Sequence, residues 1–319
     1  MHRVASFVVA CIALAGAALA AAPSDEIIQG LYEGAAKGPK GTAKIEARLV
    51  ACGKGTFKLF VRELKGATSA AMAELDGQAE GDAVLFQGKA GDAEWKVAWA
   101  GGALKGTCGQ GGTLALKRAA RTSPTMGAKP PAGAVVLLDG KNFDEVTQKG
   151  ADWQAVEGGG IQVPKGGMNS KRQFPGSLNI HVEFKIPFMP NDRDQGRGNS
   201  GVYLPNGDEI QVLDSFGMTT YTGGGCGGLY KYKDPDTFDK FSLAALPPLQ
   251  WQTYDIEYRV EMKDGKPTGK PRVTVLHNGI KIHDNAPLEK DARPGGMHFQ
   301  DHGNAVHYRN IWVVPLGDK

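Results

Sequence analysis

The sequence predicts an all-β chain made of two successive domains, and three observations predict it. Short runs of period-2 alternation recur along the chain, glycine- or proline-containing turns separate them, and no segment sustains a helical period for more than a turn or two. The 319 residues, with 45 glycines and 18 prolines, are too long for most single sandwiches and too glycine-rich for a helical bundle. Two β-rich domains, each burying an ordinary core, are the natural division. Many antiparallel strands joined by such turns argue for a sandwich or jelly roll.

Met1-His2-Arg3 precedes an apolar run, Val4 to Leu19, that closes on the small-residue pattern Ala18-Leu19-Ala20. This is the three-part pattern of a cleaved secretory signal over residues 1–20, which predicts an exported protein, periplasmic or extracellular. The run is shorter than the roughly 20 apolar residues that span a bilayer, and no later segment is long enough, so no membrane span is expected. The formal charge of +3 is spread along the chain without a basic run. That leaves no electrostatic footprint for nucleic acid or an anionic membrane, and small neutral ligands fit better.

Residues 21–118 read as a small antiparallel β domain, with runs such as Lys44 to Val50 and Thr56 to Val61 between glycine turns. It has no histidine, since none lies between His2 and His181, and neither paired carboxylates nor a nucleophile motif, so an accessory or interaction role is expected. Two of the four cysteines, Cys52 and Cys108, lie in this domain, and an oxidising compartment predicts a disulfide between them. Cys11 leaves with the signal, and Cys226 is expected to be a small buried thiol. Residues 119–134, with Pro124, Pro130 and Pro131, read as an extended linker.

From residue 135 to 319 the strand pattern resumes in Val135 to Leu138, His181 to Ile186, Glu209 to Leu213, Tyr254 to Val260 and Val306 to Val314. Asn278-Gly279 between two alternating runs is the strongest short hairpin signal in the chain. The run Gly223 to Gly228 contains G-x-G-x-x-G, but no βαβ unit surrounds it; a flexible loop over a binding face is expected rather than a dinucleotide site. His298-Phe299-Gln300-Asp301-His302 has histidines at i and i+4, yet its flanking glycines make it a short strand. At about 3.3 Å per residue the two rings would be about 13 Å apart, too far to share one ion unless the chain bends. Such a strand would turn His298, Gln300 and His302 to one face, and three polar side chains cannot face a dry core without partners. Glu209 and Gln211 likewise point away from the core together, about 7 Å apart, while Ile210 and Val212 point in.

Val136-Leu137-Leu138-Asp139-Gly140-Lys141, Trp153 with Val156-Glu157-Gly158, Asn199-Ser200-Gly201-Val202-Tyr203-Leu204, Glu209 to Asp214, Gly228-Leu229-Tyr230, Trp251 to Ile256, Asn278-Gly279 and Gln300-Asp301-His302-Gly303 with Tyr308-Arg309-Asn310-Ile311 occur in this order over about 180 residues. In this succession the C-terminal part resembles the 3-keto-disaccharide hydrolase domain family. The N-terminal β domain and linker are similar to an arrangement of planctomycete-type exported members. The resemblance implies a concanavalin-like jelly-roll sandwich and cleavage of glycosides already oxidised to a ketone at carbon 3. Removal of the acidified hydrogen on carbon 2, β-elimination of the glycosidic oxygen and addition of water give net hydrolysis, which requires a base, a carbonyl polariser and a leaving-group donor. Glu209 or His302 is the expected catalytic base. Gln211, Gln300, Arg309, His298, Asn199 and Tyr230 are the expected substrate-binding residues, for an oligosaccharide or glycoside. No cofactor is certain; a divalent metal held by Glu209 with His298 or His302 is one option, although the spacing is that of no standard site. The second reading is a non-catalytic carbohydrate-binding or surface module, since the fold alone serves either.

Overall fold

The computed structural model describes residues 23–39, 41–65, 68–109, 111–140, 143–148, 154–236 and 243–317. The expected signal segment and Trp153 lie outside the described residues. No helix among the described residues is long and apolar enough to cross a membrane.

The first eight strands are β1 (Gly30–Gly38), β2 (Gly41–Gly53), β3 (Thr56–Lys65), β4 (Thr68–Glu80), β5 (Ala83–Ala90), β6 (Ala93–Ala100), β7 (Ala103–Cys108) and β8 (Gly112–Ala119). Each pairs antiparallel with the next, and β8 returns to β1 from Leu31↔Ala119 to Lys37↔Thr113, closing a barrel. Alternation explains the closure: one side of every strand, including Tyr32, Phe57, Phe86, Trp95 and Trp99, fills the interior. The lumen is therefore packed, with Trp99 Nε1 donating to the Tyr32 hydroxyl at 2.7 Å and that hydroxyl donating to the Ile28 carbonyl at 2.7 Å.

The expected Cys52–Cys108 disulfide is not formed; both thiols are free. The closed topology separates them. Cys52 lies beside the β2–β3 hairpin and Cys108 beside the β7–β8 hairpin, which alternation of an up-and-down barrel places at opposite ends. Two strands, β1 and β8, also stand between them. A disulfide needs Cα atoms within about 7 Å.

The second domain is a sandwich. Its strands are β9 (Val135–Leu138), β10 (Val146–Gln148), β11 (Gln154–Val156), β12 (Gly160–Gln162), β13 (Met168–Ser170), β14 (Leu178–Lys185), β15 (Ser200–Tyr203), β16 (Glu209–Val212), β17 (Trp251–Lys263), β18 (Lys266–His277), β19 (Ile280–Pro287), β20 (His298–Phe299) and β21 (His307–Pro315). One sheet runs β10-β13-β20-β15-β16; the larger one runs β11-β12-β21-β14-β17-β18-β19, with β9 also on β21. Core residues from both sheets, such as Val202, Ile210 and Phe299 on one and Val182, Phe184 and Tyr308 on the other, form one apolar cluster. The predicted hairpin is present: Asn278 (φ 51°) and Gly279 (φ 78°) both adopt positive φ between β18 and β19. The chain is thus all-β, a jelly-roll-like sandwich preceded by an antiparallel β barrel.

The segment read as a linker is docked rather than free. Ser123 Oγ lies 2.6 Å from Thr253 Oγ1, Thr125 Oγ1 donates to Asp255 at 2.6 Å, and Asn310 Nδ2 donates to the Ala128 carbonyl at 2.9 Å. It covers the outer face of the larger sheet. Barrel and sandwich also meet through Leu31, Val50, Phe60 and Phe216, and Arg48, fully buried, donates to the Leu243 carbonyl at 2.8 Å. Gly217 makes this approach possible: at φ 76°, a Cβ there would lie 2.4 Å from Val50 Cγ2.

Candidate active site

The outer face of the smaller sheet gathers most of the predicted polar residues, because β15, β16 and β20 are neighbours in it. Register places Glu209 opposite Tyr203, and Tyr203 opposite His298, so the three form one row across the sheet. The next row is Gln211 opposite Gly201, with Gln300 beside them through Gln300 N donating to the Gly201 carbonyl at 2.9 Å. Gly201 explains the Asn-Ser-Gly sequence. A Cβ at that position would lie 2.1 Å from Glu209 Oε1, so the missing side chain is the space that the carboxylate occupies.

Glu209 is buried, at 6% exposure. Burial penalises its charge and raises its carboxyl to about 7, against the opposing effects of the Tyr203 hydrogen bond and of Lys290 and Lys231. Tyr203 is raised in turn by burial and by Glu209, which keeps its hydroxyl protonated as a donor. Gln300 Nε2 also donates to the Tyr203 hydroxyl, at 3.2 Å. His298, lowered by burial, stays neutral near pH 7 and holds Asn169 Oδ1 at 2.9 Å through Nδ1. Tyr230 N donates to the Glu209 main-chain carbonyl at 3.0 Å, Tyr221 OH donates to Tyr230 OH at 2.8 Å, and the Tyr221 hydroxyl is within electrostatic reach of the Glu209 carboxylate.

Gln211 and Asn199 are in the same region but buried. Gln211 Nε2 donates to Gln195 Oε1 at 2.9 Å, and Asn199 Nδ2 donates to the same oxygen at 3.1 Å. They anchor Gln195, which sits between them and the surface. Asp214 has a similar supporting role: it binds Arg197 Nε at 2.7 Å in a fully buried pair, and Arg197 reaches the Ala51 carbonyl of the barrel at 3.3 Å.

Three sequence expectations change. The predicted strand from His298 to His302 ends at Phe299, and the last ladder-like bond is that of Gln300. His302 lies beyond it, exposed, in a turn where Gly303 N caps Asp301 at 2.9 Å. The period-2 argument that aligned His302 with Gln300 therefore has no strand to act on. Arg309 is not with Glu209. It lies on β21 with the opposite parity to core residue Tyr308, on the outer face of the other sheet, where it binds Glu183 at 2.6 Å and the Gly158 carbonyl at 2.6 Å and stacks 4.1 Å over Trp251. The run Gly223–Gly228 is buried rather than a flexible cover. Its end pairs with β16 through Gly227 N to the Gln211 carbonyl at 2.8 Å and Gln211 N to the Gly228 carbonyl at 2.9 Å. Cys226, as expected, is buried.

The donor set does not fit a metal. Among the described residues no three His, Cys, Asp or Glu side chains converge, and Tyr203 stands between Glu209 and His298 in the row. What the row can do is hold a carboxylate poised near neutrality, with a phenol, amides and a neutral imidazole beside it, which is a general-base arrangement. Residues 133–314 match the model of the 3-keto-alpha-glucoside-1,2-lyase-like domain. The chain belongs to that family. A crystal structure described as "a putative glycosyl hydrolase from Parabacteroides distasonis ATCC 8503" is 30% identical to this lyase-like chain, covering 58% of it and 85% of the other chain, with a TM-score of 0.50. No curated protein matches the chain. Sequence reasoning missed Tyr203, Gln195 and Tyr221. Tyr203 was legible, being two residues after Gly201 and so on the same strand face, whereas Gln195 and Tyr221 come from irregular segments that carry no period.

Proposed function

We propose that this lyase-like domain cleaves 3-keto-glycosides and that Glu209 is the base. The carboxylate takes the proton from carbon 2, and the electron pair of that bond forms the enolate of the carbon 3 ketone. Collapse of the enolate makes the carbon 1–carbon 2 double bond and expels the glycosidic oxygen, which takes up a proton as it leaves. Water then adds across the double bond, its hydroxyl to carbon 1 and its proton to carbon 2, so the sum is hydrolysis. Tyr203 and Gln300 supply donors beside Glu209 for the enolate oxygen or the departing one, and His298 offers a neutral ring on the far side of Tyr203. An exported location, periplasmic or extracellular, goes with this reading as the expectation drawn from the first 20 residues.

The observation that carries the proposal is the buried carboxylate with its titration near 7, over a glycine that leaves it room. A carboxylic acid on an ordinary surface would be a far weaker base at the same pH. The test is release of a chromogenic aglycone from a 3-keto-glucoside by the wild type and by Glu209→Gln. Glu209→Gln is expected to retain the fold and lose about 100-fold or more in turnover, the usual scale for a general base. His302→Asn is expected to stay near the wild-type rate. The reverse pattern would move the base to His302, and binding without release by the wild type would make the domain a carbohydrate-binding module.

A further inference from the structure

One large cleft among the described residues is not on the sandwich alone. It lies between the outer face of the barrel and the sandwich, has a volume of about 1270 Å³, and takes one wall from β3, β4 and β5 and the other from Arg193, Asp194 and residues 217–221. That volume exceeds the roughly 300–1,000 Å³ of ordinary small-molecule pockets, so the cleft suits a chain-like ligand. The barrel lumen is packed, so what this domain offers a ligand is its outer surface.

Two direct connections join the cleft to the Glu209 site. Tyr221 lines the cleft, is 42% exposed, and its hydroxyl bonds Tyr230 beside Glu209. Residues 193–195 form the second. Arg193 donates to the Cys52 carbonyl of the barrel at 2.6 Å, Asp194 faces the cleft, and Gln195 binds Gln211 in the site, so three consecutive residues touch barrel, cleft and site in turn. Asp194 holds a left-handed backbone conformation at φ 48°, rare outside glycine, which sharpens the turn between its two neighbours. Gln195 Nε2 also donates to Thr220 Oγ1 at 3.1 Å, and Thr220 bonds Asp194, so the two segments that make the sandwich wall are braced against each other.

The lining selects the ligand's chemistry. Glu74, Asp76, Glu80 and Asp194 outnumber Lys58 and Arg193, and Lys58 is already paired with Glu74 and Asp76 at 3.2 and 3.0 Å. Such a surface repels anionic sugars and offers many acceptors to hydroxyl donors, with an exposed tyrosine ring for a sugar face. We propose that the barrel–sandwich cleft is an extended subsite that binds the uncharged sugar units of a glycoside beyond the scissile bond, so that the N-terminal barrel sets the preferred substrate length. The preference for cleavage of longer glycosides rests on the function proposed above; the binding of neutral saccharide by the cleft does not.

The test uses the full mature chain and the variants Leu85→Trp, which fills the cleft from the barrel wall, and Gln87→Ala, which removes one amide from it. Both side chains lie on the outer face of β5, so the barrel core is unaffected. With a 3-keto-monoglucoside carrying a chromogenic leaving group, both variants are expected to match the wild type. With a 3-keto-glycoside of four sugar units, Leu85→Trp is expected to raise KM about tenfold and Gln87→Ala by a few-fold, with kcat held. A calorimetric titration with the unoxidised four-unit saccharide, which needs no catalysis, is expected to show binding to the wild type and its loss in Leu85→Trp. Equal KM values for short and long substrates in wild type and Leu85→Trp, or equal titrations, overturn the subsite. Failure to cleave either 3-keto substrate overturns the proposed reaction instead, and the titration then still decides the cleft.

Discussion

Two glutamates on the outward faces of the sandwich, Glu209 and Glu183, are nearly equally buried, at 6% and 1% exposure, yet their carboxyls are driven in opposite directions. Burial penalises the charge of both. At Glu183, hydrogen bonds from His181, Asn310, Arg309 and the Gly127 backbone overwhelm that penalty and lower it to about 2. At Glu209 only the Tyr203 hydroxyl and two lysines oppose it, and it rises to about 7. The difference teaches that burial alone does not mark a functional carboxylate; the number of partners does. A saturated carboxylate fixes structure, in this case by gluing the docked segment 123–128 to the larger sheet. An undersupplied one retains a proton affinity that chemistry can use.

The largest expected effect comes from removing the saturated member. Glu183→Ala leaves Arg309 and His181 without their shared acceptor inside the docked interface, and breaking such a buried pair costs about 3–5 kcal/mol. Urea unfolding of wild type and variant measures it; a difference under about 1 kcal/mol, the surface-pair scale, would mean that the network is ornamental. The loss should depend on pH with a definite sign. Glu183 is lowered from 4.5, so its contribution is present above about 4.5 and lost as pH falls towards 2. His181, despite the burial that opposes its charge, is raised from 6.5 to about 9 by Asp255 and Glu183, so its contribution is present below 6.5 and lost as pH rises through 9. The Tm difference between wild type and Glu183→Ala should therefore peak between those limits.

An intermediate effect sharpens the other side of the comparison. Tyr203→Phe removes the one hydroxyl that lowers Glu209, so the carboxyl should rise further. Activity at pH 6 should fall about tenfold, while the rising limb of kcat/KM, expected near 7 in the wild type if Glu209 is the base, should move to higher pH. A lower rate with an unmoved limb would assign Tyr203 to substrate alone.

How much of this was legible in the sequence follows the same division. Strand alternation placed Glu209 and Gln211 on one outward face, and Asn278-Gly279 located a hairpin, because period and turn chemistry are local. His302 and Arg309 were misplaced for the same reason. A strand that stops at Phe299 cannot carry parity to His302, and parity on β21 says only that Arg309 points outward, not from which of two sheets. The cysteine pairing failed because closure of the barrel, a non-local property, decides which strand ends meet. The docked segment had the composition of a linker. Its contacts depend on Thr253, Asp255 and Asn310, more than a hundred residues further along the chain.

The smallest expected effect is the most direct check on the contrast, because it reads Glu209 without any substrate. A carboxyl raised from 4.5 to about 7 binds its proton more tightly in the folded chain than in the unfolded one. Below about 4.5 both states hold the proton and folding gains or loses nothing. Between 4.5 and 7 the unfolded chain releases the proton first, so stability falls, and above 7 the folded chain carries the full penalty of a buried charge. Glu209→Gln keeps the shape of the protonated form at every pH. It should match the wild type near pH 4 and exceed its Tm at pH 8. A carboxyl moved from 4.5 to about 7 caps the gain at about 3 kcal/mol. Relaxation of the pocket together with residual structure in the unfolded chain leaves about 1 kcal/mol, or about 2–4 °C in a domain of this size. Removing Glu183 should do the opposite at the same pH. A chain that becomes more stable when it loses its proposed base, and less stable when it loses its other buried glutamate, would separate the two roles by thermodynamics alone. Equal Tm values for Glu209→Gln and wild type at pH 8 would show instead that the Glu209 carboxylate is comfortable in its pocket, and the argument for it as a base near neutrality would fall with that result.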